Sequence, residues 1–261
     1  MSSTIKRNKY EIDMCNGSLM DKLISFSLPL MLSGILQLLF NAVDIIVVGR
    51  FTGRQALAAV GSTTALINMF VNLFIGISLG ANVLAGRFFA AKKEREMSET
   101  VHTAIAFALV SGIGMAFIGV AFARTALELM GTPDDVIQLS ALYMRLYFCG
   151  MPFFMLYNYG AAILRAIGDT KRPLLFLVIA GVAPVALNLL LVIVFHLGVA
   201  GVAIGTIISQ MISSILVLRC LCKAEASYRL HFFKLSIKGV YMKQIFKVGI
   251  PAGIQSTVIN F

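Results

Sequence analysis

The chain has 261 residues, 59% of them hydrophobic and only 13% charged, with a mean hydropathy of +0.89 and a formal net charge of +10. A soluble domain is about 45–50% apolar and about 25% charged, so an ordinary cytosolic enzyme, a disordered tail and a small secreted scaffold are excluded. So basic a soluble protein would suggest nucleic acid, but on so apolar a chain the charge points to a membrane surface.

In chain order, residues 1–22 are polar and of mixed charge. They read as a cytoplasmic tail and not a signal peptide, because the apolar run behind them exceeds a signal h-region of about 7–15 residues. Six apolar stretches follow, at 23–48, 57–85, 101–123, 136–156, 174–195 and 199–221. Each meets the length of about 20 residues that a helix needs to cross a hydrocarbon core of about 30 Å. The expected fold is therefore all-α and polytopic, with a six-helix transmembrane lobe over 23–222. A basic linker occupies 223–243, and 244–261 begins a seventh span that stops at Phe261 without a cap. Within the linker, Leu230, Phe233, Ile237 and Val240 recur at helical spacing among Lys234, Lys238 and Lys243. That pattern fits either a basic amphipathic helix on the inner leaflet or an extended linker held near anionic lipid by its lysines.

The stretches sort the basic residues. Eighteen fall on the side of the N-terminus, and only Arg50, Arg54 and Arg124 on the other, with Arg145 inside the fourth stretch. This bias places the N-terminus in the cytoplasm and the chain, as a multi-pass protein, in the plasma (inner) membrane. It accounts for the net charge through the lipid bilayer, and no nucleic-acid partner is expected.

The start of the seventh stretch resembles that of the first: Leu23-Ile24-Ser25-Phe26-Ser27-Leu28-Pro29 lies over Ile245-Phe246-Lys247-Val248-Gly249-Ile250-Pro251. An even number of spans separates the copies, which describes a parallel repeat about an axis along the membrane normal. The chain then reads as one lobe and the first turns of another.

Of twelve acidic residues only Asp44 lies within an apolar stretch. A carboxylate there costs at least about 2.5–3.5 kcal/mol, so a functional role outweighs a helix-capping one. Span direction puts Asp44, Asn188 and Thr206 in the same outer leaflet, with Gln37 two turns deeper than Asp44 on one helix face and Asn41 between them. An acid in a polar cavity reached from one side at a time can exchange a proton, bind Na⁺ or attract an organic cation. Pro29, Pro152 and Pro184 are placed to bend spans one, four and five. Gly76-x-x-x-Gly80 and Gly201-x-x-x-Gly205 fit close helix packing. Cys15, Cys149, Cys220 and Cys222 read as apolar filling, and His102, His196 and His231 as widely separated. No P-loop, H-E-x-x-H or G-x-S-x-G is present, so no enzyme activity and no cofactor are expected.

Several segments together resemble the multidrug and toxic compound extrusion (MATE) family. They are PLMLSGILQLLFNAVDIIVVGRFTGRQALAAVG at 29–61, GANVLAGRFFAAKKEREMSETVHTAI at 80–105, GTPDDVIQLSALYMRLYFCGMPFF at 131–154, ILRAIGDTKRPL at 163–174 and LNLLLVIVFHLGVAGVAIGTIISQ at 187–210. The resemblance implies half of a twelve-helix, two-lobe exporter of small organic cations driven by H⁺ or Na⁺. It implies that Asp44 is the cation site, that Gln37, Asn158, Asn188 and Thr206 are polar cavity positions, and that any Na⁺ would sit at Asp44, Asn188 and Thr206. Many members carry a second acid four residues after the asparagine; here Val192 stands there, which implies coupling through Asp44 alone. The second wall of the cavity would come from a second lobe or a second copy. Two other readings are a lipid-precursor flippase of the same superfamily and an inactive truncated half-transporter. A flippase calls for a basic cavity, which Arg145 alone does not supply.

Overall fold

A computed structural model describes residues 19–224 and 227–259. The expected tail falls outside the described residues except for 19–22, which open the first helix, and so do Asn260 and Phe261. The helices are α1 (Leu19–Phe51), α2 (Arg54–Ala90), α3 (Glu94–Leu129), α4 (Asp134–Cys149), α5 (Met151–Ala166), α6 (Lys171–Leu189), α7 (Gly198–Cys222) and α8 (Gly239–Ile259). No strand occurs among the described residues. At 33, 37 and 36 residues, α1, α2 and α3 are each about 50–55 Å long, longer than a hydrocarbon core of about 30 Å. Among the described residues, five helices are long and apolar enough to cross a membrane, and α4 with α5, bent by 45° at Gly150, makes a sixth span when taken as one.

Short turns join α1 to α2, α2 to α3, α3 to α4 and α5 to α6. At the α2–α3 turn the Lys93 N–H reaches back to the Phe88 carbonyl and the Lys92 N–H to that of Phe89, with Lys92 left-handed at φ 56°. These bonds satisfy carbonyls that a helix end leaves orphaned.

The fourth apolar stretch ends too early at 156. The helical span runs on to Ala166, through Asn158 and Arg165, which dilute the apolar signal. Its bend has a packing cause. A Cβ at Gly112 of α3 would lie 2.6 Å from the Pro152 Cα, and one at Gly119 would lie 2.1 Å from the Phe148 ring. The glycines of α3 thus make room for both sides of the kink, and Pro152 opens α5 where a missing N–H costs nothing. The core lies between α2, α3, α4, α5 and α7, filled by Met97, Leu127, Phe148, Met155 and Tyr159. Leu28, Ile35, Leu38 and Ile46 of α1 point outward, as expected of a helix solvated by lipid or by a further lobe.

Pro29 lies within a continuous α1, and Pro184 within α6. The irregularity in span five comes later, as a π-helical turn over Leu190–Val194. The linker is not an amphipathic helix. Its described residues hold one three-residue 3₁₀ turn, Phe232–Lys234, before α8 begins at Gly239, ahead of position 244. Leu230 is buried while Phe233 is fully exposed, so the apolar residues of this segment do not share one face. Two further expectations are corrected. Cys220 is more than apolar filling, since the Arg172 guanidinium donates to its sulfur at 3.3 Å. His102 and His231, far apart in sequence, stack with ring centres 6.1 Å apart.

Candidate functional site

A cavity of about 400 Å³ opens between α1, α2, α4, α5, α6 and α7. It lies toward the bundle end opposite the linker, because its α7 residues, Val202 to Gln210, sit in the first half of a helix that ends at the linker. α1 contributes Gln37, Asn41 and Asp44, spaced so that one helix face carries all three. Thr64 and Asn68 come from α2, Tyr143 and Tyr147 from α4, Phe154 and Asn158 from α5, and Thr206, Ser209 and Gln210 from α7. Among the described residues, Asp44 is the one charged side chain on this wall.

Asn188 does not line the cavity; it stands behind Asp44, fully buried. Its Nδ2 donates to Asp44 Oδ1 at 2.6 Å, a short charge-assisted bond that fits an ionised carboxylate. Its Oδ1 is buried without a partner among the described residues. The amide fits there because α7 offers no side chain opposite: a Cβ on Gly205 would lie 1.7 Å from that oxygen. The Gly201-x-x-x-Gly205 pattern is therefore close packing, as the spacing suggests, and it also seats a polar group. On the cavity side Thr206 Oγ1 donates to the Val202 carbonyl at 3.0 Å, and Asn158 Nδ2 to that of Phe154 at 2.9 Å.

Of the residues expected from sequence, the structure thus gathers Gln37, Asp44, Asn158 and Thr206 on one wall and bonds Asn188 to Asp44. It adds Thr64, Asn68, Ser209, Gln210 and the aromatic Phe40, Tyr143, Tyr147 and Phe154, which sequence reading missed. Asn68 and Gln210 carried the same signal as Asn188, an amide inside an apolar stretch. Tyr143 and Tyr147, one turn apart, have ring centres 6.2 Å apart.

Val192 does not line the cavity. It is buried with Val47, Val48, Ala56, Val60, Val199 and Val202 in a small apolar cluster beside Asp44. The π-turn containing it breaks the four-residue spacing that would stack it under Asn188.

The family model MatE matches residues 29–190, which carry Gln37, Asp44, Asn158 and Asn188. The chain belongs to the MatE family. It is 33% identical over 244 residues to the probable multidrug resistance protein YoeA of Bacillus subtilis (strain 168), covering 90% of this chain and 52% of that protein. It is 29% identical over 250 residues to the probable multidrug resistance protein YpnP of the same strain, covering 95% of this chain and 55% of that one. The chain spans about half the length of the curated relatives it matches. Its fold matches an outward-facing multidrug resistance MATE family transporter of the MOP superfamily with a TM-score of 0.89, at 21% identity over 98% of this chain and 56% of that one.

Proposed function

We propose that this MatE lobe is the first half of a secondary exporter that releases organic cations in exchange for H⁺ or Na⁺, coupled through Asp44. The observation that carries this reading is the lone carboxylate of a polar, aromatic-walled cavity, held at 2.6 Å by a buried amide. One carboxylate balances one positive charge. A proton or Na⁺ on Asp44 removes the attraction for an organic cation, and the organic cation excludes the ion. That competition, with access from alternating sides, makes exchange obligatory.

The surrounding groups fit both partners. Tyr143, Tyr147, Phe40 and Phe154 offer aromatic faces to a flat cation. Gln37, Asn41, Asn68, Asn158 and Gln210 offer amides that replace water without adding charge. Thr206 and the carboxylate offer oxygens to a small ion on the cavity side, while Asn188 turns its N–H to the carboxylate from behind and its oxygen toward Gly205. The relatives are about twice as long as this chain, and we place a second lobe opposite this wall; a second copy of the chain is the other source of that wall. Orientation with the N-terminus in the cytoplasm, in the plasma membrane, rests on the distribution of basic residues. A flippase for anionic lipid precursors is disfavoured because no Lys or Arg lines the cavity among the described residues, and Arg145 is exposed on the outside of α4.

The test is efflux of a fluorescent organic cation from vesicles under imposed pH or Na⁺ gradients. Asp44→Asn removes the charge and keeps the shape, so it is expected to abolish ion-driven efflux. Unchanged gradient-driven efflux in that variant would refute the reading, and the gradient that drives the parent chain identifies the ion.

A further inference from the structure

The inner end of the cavity wall is Ile75 on α2, and the next residue begins an unusual contact. A Cβ at Gly76 would lie 2.0 Å from the Gly253 Cα, one at Gly80 2.2 Å from the Ile245 carbonyl, and one at Gly249 2.6 Å from the Ile77 Cα. Four glycines therefore let the backbones of α2 and α8 touch with no side chain between them. The seam lies between the cavity and the end of the bundle that carries the linker.

A second set of contacts fastens the chain leading into α8. Glu99, His102 and Thr103 lie within one turn of α3, and each holds the segment from His231 to Tyr241. His102 Nδ1 donates to the Ser98 carbonyl at 2.7 Å, which leaves Nε2 to accept the backbone N–H of His231 at 3.1 Å. Thr103 Oγ1 accepts the backbone N–H of Lys238 and donates to the Ser236 carbonyl, both at 3.3 Å. The Glu99 carboxylate takes Lys238 Nζ at 2.5 Å and the Tyr241 hydroxyl at 2.8 Å, with Arg95 beside it at 3.2 Å. Tyr241 lies in the first turn of α8. Upstream, Tyr228 and Leu230 are buried in the lobe.

We infer that α2 and α8 form a gate on the linker side of the cavity, and that the segment from His231 to Tyr241 is the latch that keeps it shut. The two parts differ in character. The seam is close backbone packing, which opens all at once when the helices part. The latch is partly solvent-exposed polar bonding, the weak and reversible kind, so it can release and re-form in a working cycle. The partner that fits this surface is the lobe that α8 begins. The idea rests on the transporter reading for its purpose, but its test reads access and not transport, so the two fail separately.

The experiment puts one reporter cysteine at the inner end of the cavity, Ile75→Cys, in the 261-residue chain with its four native cysteines changed to alanine. A membrane-impermeant maleimide is applied to the linker face of sealed vesicles. The parent chain is expected to label slowly. Combining Glu99→Gln, His102→Phe and Thr103→Val should speed labelling about tenfold, within the range for coupled elements. Lys238→Gln, which removes the Lys238–Glu99 pair from the linker side, should move it in the same direction by less. Arg124→Gln breaks the Arg124–Glu128 pair at the other end of α3 and should leave the rate unchanged. Fast labelling of the parent chain, latch variants that label at the parental rate, or equal acceleration by Arg124→Gln would each overturn the inference.

Discussion

Asn188 reaches Asp44 across a space that position 205 keeps empty. A methyl group there would lie 1.7 Å from the amide oxygen, so Gly205→Ala must push Asn188 off the carboxylate. The expected result is loss of ion-coupled efflux with the helices still formed, checked by transport and circular dichroism together. Gly61→Ala on α2, with nothing within 4 Å of its added carbon, should leave transport intact. Asn188→Leu should resemble Gly205→Ala, because a charge-assisted hydrogen bond is worth about 1.5–3 kcal/mol and the carboxylate loses its donor. Both Asp44 and Asn188 were legible in the sequence, since a charge or an amide in an apolar stretch is costly without a purpose. Tyr143 and Tyr147 were not. An aromatic ring is at home facing lipid, facing the core or lining a cavity, and only the rotation of α4 decides which. Val192 was legible as a missing acid, but its place in an apolar cluster depends on the π-turn, which leaves no mark in composition.

At the scale of elements, the long apolar runs located the spans because the bilayer demands length and apolarity and little else. Pro152 marked the bend in span four, but what seats that bend and the course of the linker were not readable, since both depend on partners distant in sequence. The kink fits only because Gly112 and Gly119 of α3 lie against it, and the linker is held by His102, 129 residues before His231. Gly119→Ala would set a methyl 2.1 Å from the Phe148 ring. Overpacking of this kind costs about 1–3 kcal/mol, and a lower melting temperature in detergent is the expected reading. Gly114→Ala on the same helix meets nothing within 4 Å. It should be neutral or raise stability by about 0.5–1 kcal/mol, because alanine loses less backbone freedom in a helix. Equal effects of the two changes would mean that α3 does not shape the bend.

For the whole molecule, the alternation of loops assigns Thr52 and Lys92 to opposite sides of the membrane. Thr52→Cys should react with an impermeant thiol reagent in intact cells, and Lys92→Cys only in inside-out vesicles. The reverse pattern would invert the orientation drawn from the basic residues. The proposed exchange makes a stronger claim, that one carboxylate serves the ion and the organic cation in turn. The most direct measurement is equilibrium binding of a fluorescent aromatic monocation to the purified chain, titrated with acid and with Na⁺, beside Asp44→Asn. The account predicts that one of the two ions displaces the dye from the parent chain and that residual binding to Asp44→Asn responds to neither. Dye binding to the parent that is indifferent to both ions, or displacement that persists in Asp44→Asn, would contradict it.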